Sequence, residues 1–176
     1  MIYRFRIILD AKEDVFRDIE IESNASLEDF HNSITQSFGF EGQEMASFYI
    51  SNDNWEQGEE IPLFDMSEGP ESIRTMNDTA LEDAVDRDQT RMLYVYDFLN
   101  MWTFLVELAD IAEANSGEIY PNLMFAHGEI PENAPTKEFV ADKSDEYDNY
   151  DDDDDTIDDD LDPEDYSDLD FNENWN

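Results

Sequence analysis

Period-two alternation opens the chain. Tyr3, Phe5, Ile7 and Leu9 fall on one face of residues 2–9, with Arg4 and Arg6 opposite, which predicts a strand buried on one side. After the polar turn Asp10-Ala-Lys-Glu-Asp14, residues 15–22 alternate again. Ile19 and Ile21 oppose Asp18, Glu20 and Glu22, and the two segments read as a hairpin. The period then changes. Leu27, Phe30, Ile34 and Phe38 recur at spacings of 3, 4 and 4 behind Ser26, an apolar stripe behind an N-cap. Glu28 and Asp29 suit the positive end of a helix, and Gly39 suits its left-handed stop. A strand over 46–51 follows. Hairpin, helix and strand in this order predict an α+β domain whose sheet opens in a β-grasp-like way.

Residues 52–77 are rich in turn formers, and a short strand is expected at Ile61–Phe64. Asp78 or Thr79 is expected to cap a short helix reaching Val85. Two stronger strands follow. Residues 91–98 set Met92, Tyr94, Tyr96 and Phe98 against Leu93, Val95 and Asp97. Residues 101–108 carry Trp102, Phe104, Val106 and Leu108 on one face. Leu99-Asn100 reads as a two-residue turn between them. Both faces of this aromatic hairpin are largely apolar, which places it centrally in a sheet expected to be mixed. Beyond Ile111 the pattern fades, and 122–135, with Gly128, Pro131 and Pro135, reads as ordered loop.

Charge divides the chain. The segment Asp142–Asn176 holds 18 acidic residues and one basic residue; residues 1–141 hold 30 and 8. Formal charges are therefore −17 and −22. An Asp-rich segment of this kind has too little apolar surface to offset chain entropy, so residues 1–138 are expected to form the folded domain and 139–176 a disordered Asp-rich tail. Few cations face many carboxylates, which argues against gripping the phosphates of nucleic acid or anionic lipid. There is no cysteine, which excludes disulfides, thiolate metal sites and a Cys nucleophile. No stretch approaches the ~20 apolar residues of a membrane span, and a cytoplasmic location is the expectation.

Tyr94-Val-Tyr-Asp-Phe98, followed four residues later by Trp102 and then by Phe104-Leu-Val-Glu107, resembles the central hairpin of the plasmid pRi ORF-three-like domain family, where a Tyr-Asp-Phe-Gly-Asp-x-Trp pattern is common. The opening is similar as well: Val15-Phe-Arg17 stands where that family has an apolar-Trp-Arg step, and Gly-Phe40 and Ser47-Phe-Tyr49 follow. Tyr120-Pro121 and Gly128 with Pro131 resemble its C-terminal loop. The resemblance covers roughly residues 2–135. It departs at Leu99-Asn100, where the family commonly has Gly-Asp, so a function lodged in that Asp is not expected here. The family is one of uncharacterised function, and the resemblance implies a fold rather than an activity.

Candidate chemistry is sparse. Asp97 stands among aromatics and has two readings: a functional acid with a raised pKa, or a carboxylate accepting backbone N–H groups at the hairpin end, the commoner fate of such groups. Asp53 and Glu56, in the loop Asn52–Glu60, are weak candidate metal ligands without the register of a calcium loop. His31 and His127 show no metal-ligand spacing and read as surface or boundary residues. Tyr94, Tyr96 and Trp102 read first as core aromatics and second as the lining of a groove. No motif calls for a cofactor. Two functions stay open. One is a non-catalytic interaction module whose acidic tail engages a basic protein partner. The other is a carboxylate-based enzyme, with or without a metal, near Asp97 and the Asn52–Glu60 loop.

Overall fold

The computed structural model describes residues 1–136, so the acidic tail expected over 139–176 lies outside the described residues. The chain runs β1 (Ile2–Leu9), β2 (Phe16–Glu22), α1 (Leu27–Phe38), β3 (Ala46–Ser51), β4 (Gln57–Pro62), α2 (Leu81–Ala84), β5 (Arg91–Tyr96), β6 (Trp102–Ala112) and β7 (Asn122–His127). The seven strands form one sheet in the order β4-β3-β5-β6-β1-β2-β7.

Every described strand pair is antiparallel, which corrects the expectation of a mixed sheet. The hairpin–helix–strand opening is present. However, β1 receives β6 antiparallel on its far side, because a hairpin turn brings β6 back beside β5 in the reverse sense. The aromatic hairpin β5–β6 does sit centrally, and β6 is the middle strand.

Alternation fixes which face is buried. Tyr3, Phe5, Ile7 and Leu9 are all buried, and Phe5 pairs with Ile19 on β2 and Leu108 on β6. Helix α1 covers this face. Its Ser26–Asp29 capping box satisfies N-terminal amides, and Gly39 ends it at φ 81, the left-handed stop expected of glycine. Phe30 lies 4.5 Å from Phe5 and 5.7 Å from Phe48, centroid to centroid, and Phe38 lies 4.7 Å from Phe104. The opposite face is polar around β1: Arg6 makes two 2.8 Å bonds to the Asp18 carboxylate, and Arg4 reaches Glu20 at 2.9 Å.

Several boundaries differ from the sequence expectation. The strand expected at 61–64 begins at Gln57; its first four residues are polar and exposed, so they show no alternation. Helix α2 starts at Leu81 behind Ala80, with no side-chain cap. Thr79 is buried instead and bonds back to the Thr75 carbonyl. The two-residue turn is a wider loop: β5 ends at Tyr96, β6 begins at Trp102, and Asp97 and Met101 both have positive φ. Strand β6 runs on to Ala112 through a register shift opposite Arg4/Phe5. Residues 122–127, expected as loop, form β7 against β2.

Candidate functional site

Asp97 leaves β5 in the left-handed region, at φ 59. Its N–H donates to the Met45 carbonyl at 2.8 Å and its carbonyl accepts from Met101 N–H at 2.6 Å. Its Oδ1 accepts from Leu99 N–H at 3.1 Å and Asn100 N–H at 3.4 Å, and Oδ2 accepts from the Asn100 side-chain amide at 2.6 Å. Both carboxylate oxygens thus serve the 97–101 loop. Asp tolerates positive φ because its short side chain can bond locally, as the three bonds to the Asp97 carboxylate do here.

Of the segment Asn52–Glu60, residues 52–56 form a turn at the other end of the same strands, and residues 57–60 belong to β4 and run back along β3. The β3–β5 register runs from Ala46↔Tyr96 beside Asp97 to Ser51↔Arg91 beside the turn. Five strand steps separate the ends, roughly 17 Å. Asp53 and Glu56 are exposed. The Asp53 carbonyl accepts from the Arg91 guanidinium, and the Glu56 carboxylate accepts from the Asn52 side-chain amide. Arg91 also lies 4.8 Å over the Trp55 ring. The structure therefore does not bring Asp97 together with Asp53 and Glu56. Among the described residues, no three His, Asp or Glu side chains gather as potential metal ligands.

The aromatic candidates are buried. Tyr94 is fully covered, and Tyr96 and Trp102 are nearly so. Phe40, just past the helix stop, closes over them at 4.6 Å from Tyr96 and 5.3 Å from Trp102. The Tyr96 hydroxyl accepts the Gly42 N–H at 3.1 Å. These three residues are core, which corrects the groove reading. Surface hollows of about 340, 330 and 200 Å³ are lined by none of the sequence candidates.

His31 also moves inward. It is 2 % exposed, and its Nδ1 lies 2.7 Å from the Tyr94 hydroxyl. Burial lowers its pKa to about 4 and raises that of Tyr94 well above its ordinary value, because a dry environment disfavours both charged forms. The neutral ring can accept the Tyr94 O–H at Nδ1. His127 is exposed on β7 and stacks on Phe16 at 5.2 Å.

Two features escaped sequence reasoning. Arg17, on the core side of β2, is buried without a carboxylate partner among the described residues. Its guanidinium donates to the Ser37, Phe16 and His127 carbonyls at 2.8–3.0 Å and lies 4.7 Å over the Phe38 ring. Desolvation lowers its pKa. The second feature is the distribution of cations. Residues 1–136 hold 29 Asp and Glu against seven Lys and Arg. Arg4, Arg6, Arg74 and Arg91 pair with carboxylates, and Arg17 is spent on carbonyls. The outer surface is left with Lys12 and Arg87 outside such pairings among the described residues.

A family model described as "Plasmid pRiA4b ORF-3-like protein" matches residues 1–170, further than the 2–135 over which the sequence motifs show the likeness. A solved structure, that of the protein of unknown function MM3350 from Methanosarcina mazei Go1, is similar at TM-score 0.61 and 21% identity, over 71% of this chain and 68% of that one. At that identity the likeness speaks for the fold. No curated protein matches the chain. No helix among the described residues is long and apolar enough to cross a membrane.

Proposed function

We propose that this chain, which belongs to the plasmid pRiA4b ORF-3-like family, is a non-catalytic interaction module of the cytoplasm whose acidic tail engages a basic protein partner. The observation that carries this reading is the fate of the cations. Five of the seven in residues 1–136 are consumed by internal contacts, so carboxylates outside these pairs dominate the outer surface of the described residues. A field of one sign over the body adds to that of the tail, and such fields raise encounter rates with oppositely charged partners. The carboxylate-enzyme alternative would need Asp97 and the Asn52–Glu60 loop in one cleft. The separation of Asp97 from Asp53 and Glu56 by the length of β3 and the engagement of both Asp97 oxygens in its own loop favour the interaction reading.

The test is an affinity pull-down with full-length protein and a form ending at about Glu138, with partners identified by mass spectrometry. Basic proteins retained by the full-length chain and lost, or released at lower salt, from the shortened one are the expected result. Equal recovery on both baits would remove the tail from the mechanism. Recovery of no basic protein would overturn the reading.

A further inference from the structure

The two edges of the sheet are treated oppositely. Exposed strand edges present unpaired N–H and C=O groups and invite a further strand, and proteins blunt them with charge, proline or bulges. Edge strand β4 is blunted. It carries Glu59 and Glu60 and has Gly58 pressed within 2.5 Å, at the position a Cβ would occupy, of the Ile50 carbonyl. Edge strand β7, Asn-Leu-Met-Phe-Ala-His, has no Lys, Arg, Asp, Glu, Pro or Gly. Leu123, Met124 and Phe125 are 46%, 47% and 53% exposed, an apolar run on an edge that no other strand pairs among the described residues. Its one irregularity is the register shift opposite Asp18/Ile19.

The strand is firmly held from within. Phe125 lies 5.8 Å from Phe16, His127 stacks on the same ring, and Arg17 grips the His127 carbonyl. At the exit, Gly128 has φ 74, and a Cβ there would sit 2.6 Å from the Asp14 carbonyl. The outer edge is therefore a fixed rim, with alternate backbone groups pointing away from β2. Charge selects what can approach. The segments entering and leaving β7 carry Glu118, Glu129 and Glu132. The nearby cations Arg6 and Arg17 are already occupied. A second copy of this chain, with a net charge of −39, would be repelled.

We infer that the outer edge of β7 receives an extended, lysine- or arginine-rich segment of a partner protein as an eighth antiparallel or parallel strand. Main-chain bonds to β7 supply affinity, apolar side chains of the segment cover Phe125 on the face it shares with Phe16, and its basic side chains meet the surrounding carboxylates. This rests on the interaction reading above and names the surface of the folded body that serves it.

The test uses the full chain and two labelled ten-residue peptides of equal charge, one alternating lysine with valine and the other the same peptide methylated at every backbone nitrogen. Methylation removes, from whichever alternate residues face β7, the N–H that edge pairing requires. The unmethylated peptide is expected to bind roughly tenfold or more tighter at low salt, a tenfold ratio being the scale of a few main-chain bonds, and to slow amide exchange at 122–127. Phe125→Lys places a gatekeeper charge on the edge and is expected to bring the ratio to about one. Leu99→Lys, the same charge change on a residue 94% exposed elsewhere, is expected to leave it unchanged. Equal affinity for the two peptides in the parent protein would overturn the edge while leaving the interaction reading standing, as would an unaltered ratio in Phe125→Lys. Amides at 122–127 already protected in the free protein on both sides of the strand would also overturn it, since the edge would then be occupied by the chain itself. Binding of neither peptide at low salt would overturn both the edge and the reading beneath it.

Discussion

His31 Nδ1 lies 2.7 Å from the Tyr94 hydroxyl beneath α1, 63 residues apart in sequence. Helix and sheet are thereby joined by a buried polar contact, as they are where Arg17 donates to the Ser37 carbonyl. Tyr94→Phe is expected to cost about 1–2 kcal/mol, because it leaves the His31 nitrogen buried without its partner. Urea unfolding reads this directly, and an unchanged midpoint would show that the contact contributes nothing.

The same pair gives the fold a pH dependence. His31 has its pKa lowered to about 4 by burial, below the usual 6.5 that it regains on unfolding. The unfolded chain therefore binds the proton first. Stability present above pH 6.5 is lost as pH falls toward 4, by roughly 3 kcal/mol for a shift of this size. Carboxylates titrate in the lower half of this window, so the comparison is with His31→Gln. The variant's stability is expected to fall less steeply than the parent's between pH 6.5 and 5; parallel curves would contradict the assignment.

Asp97 is expected to behave as a loop residue. Asp97→Asn keeps an acceptor and tolerates φ 59, and should change stability little. Asp97→Ala loses the bonds to Leu99 and Asn100 and should cost about 1–2 kcal/mol; Asp97→Val adds left-handed strain for a β-branched residue and should cost more. Thermal unfolding of the three variants checks the order. Equal midpoints for Asn and Val would refute it.

Phe30 and Phe104 are fully buried on opposite sides of the helix–sheet interface. Truncation of either to Ala is expected to cost roughly 3–5 kcal/mol by lost transfer energy and the cavity left behind. A urea midpoint within error of the parent's would mean that the core collapses around the gap.

For the tail, the expected effect is kinetic. With a basic partner in hand, removal of residues beyond about Glu138 should slow association more than it speeds dissociation, since long-range charge acts on encounter. The difference should shrink as salt shortens the screening length to ~8 Å at physiological strength. Stopped-flow rates at two ionic strengths measure it; equal association rates at low salt would reduce the tail to a solubility device.

By itself the sequence determined the elements whose period shows one dry face and one wet one. Strand β1 and helix α1 with its Ser26 and Gly39 ends are of this kind, because burial on one side writes itself into residue spacing, and the central aromatic hairpin was legible because both its faces are largely apolar. The acidic imbalance is equally local information. Tertiary structure alone decided the rest. Strand β7 is exposed along its length and is a strand only because β2 offers it a backbone ladder, so no alternation announces it. His31 and Thr35 sit on the flank of the helix stripe, and whether a flank is wet depends on how far the sheet extends beneath it. Asp97 reads as a buried anomaly while the strand is imagined to continue, and becomes an ordinary loop carboxylate once the chain turns at Tyr96. Its distance from Asp53 and Glu56 follows from the register of β3 on β5, a long-range pairing to which hydrophobic spacing carries no guide.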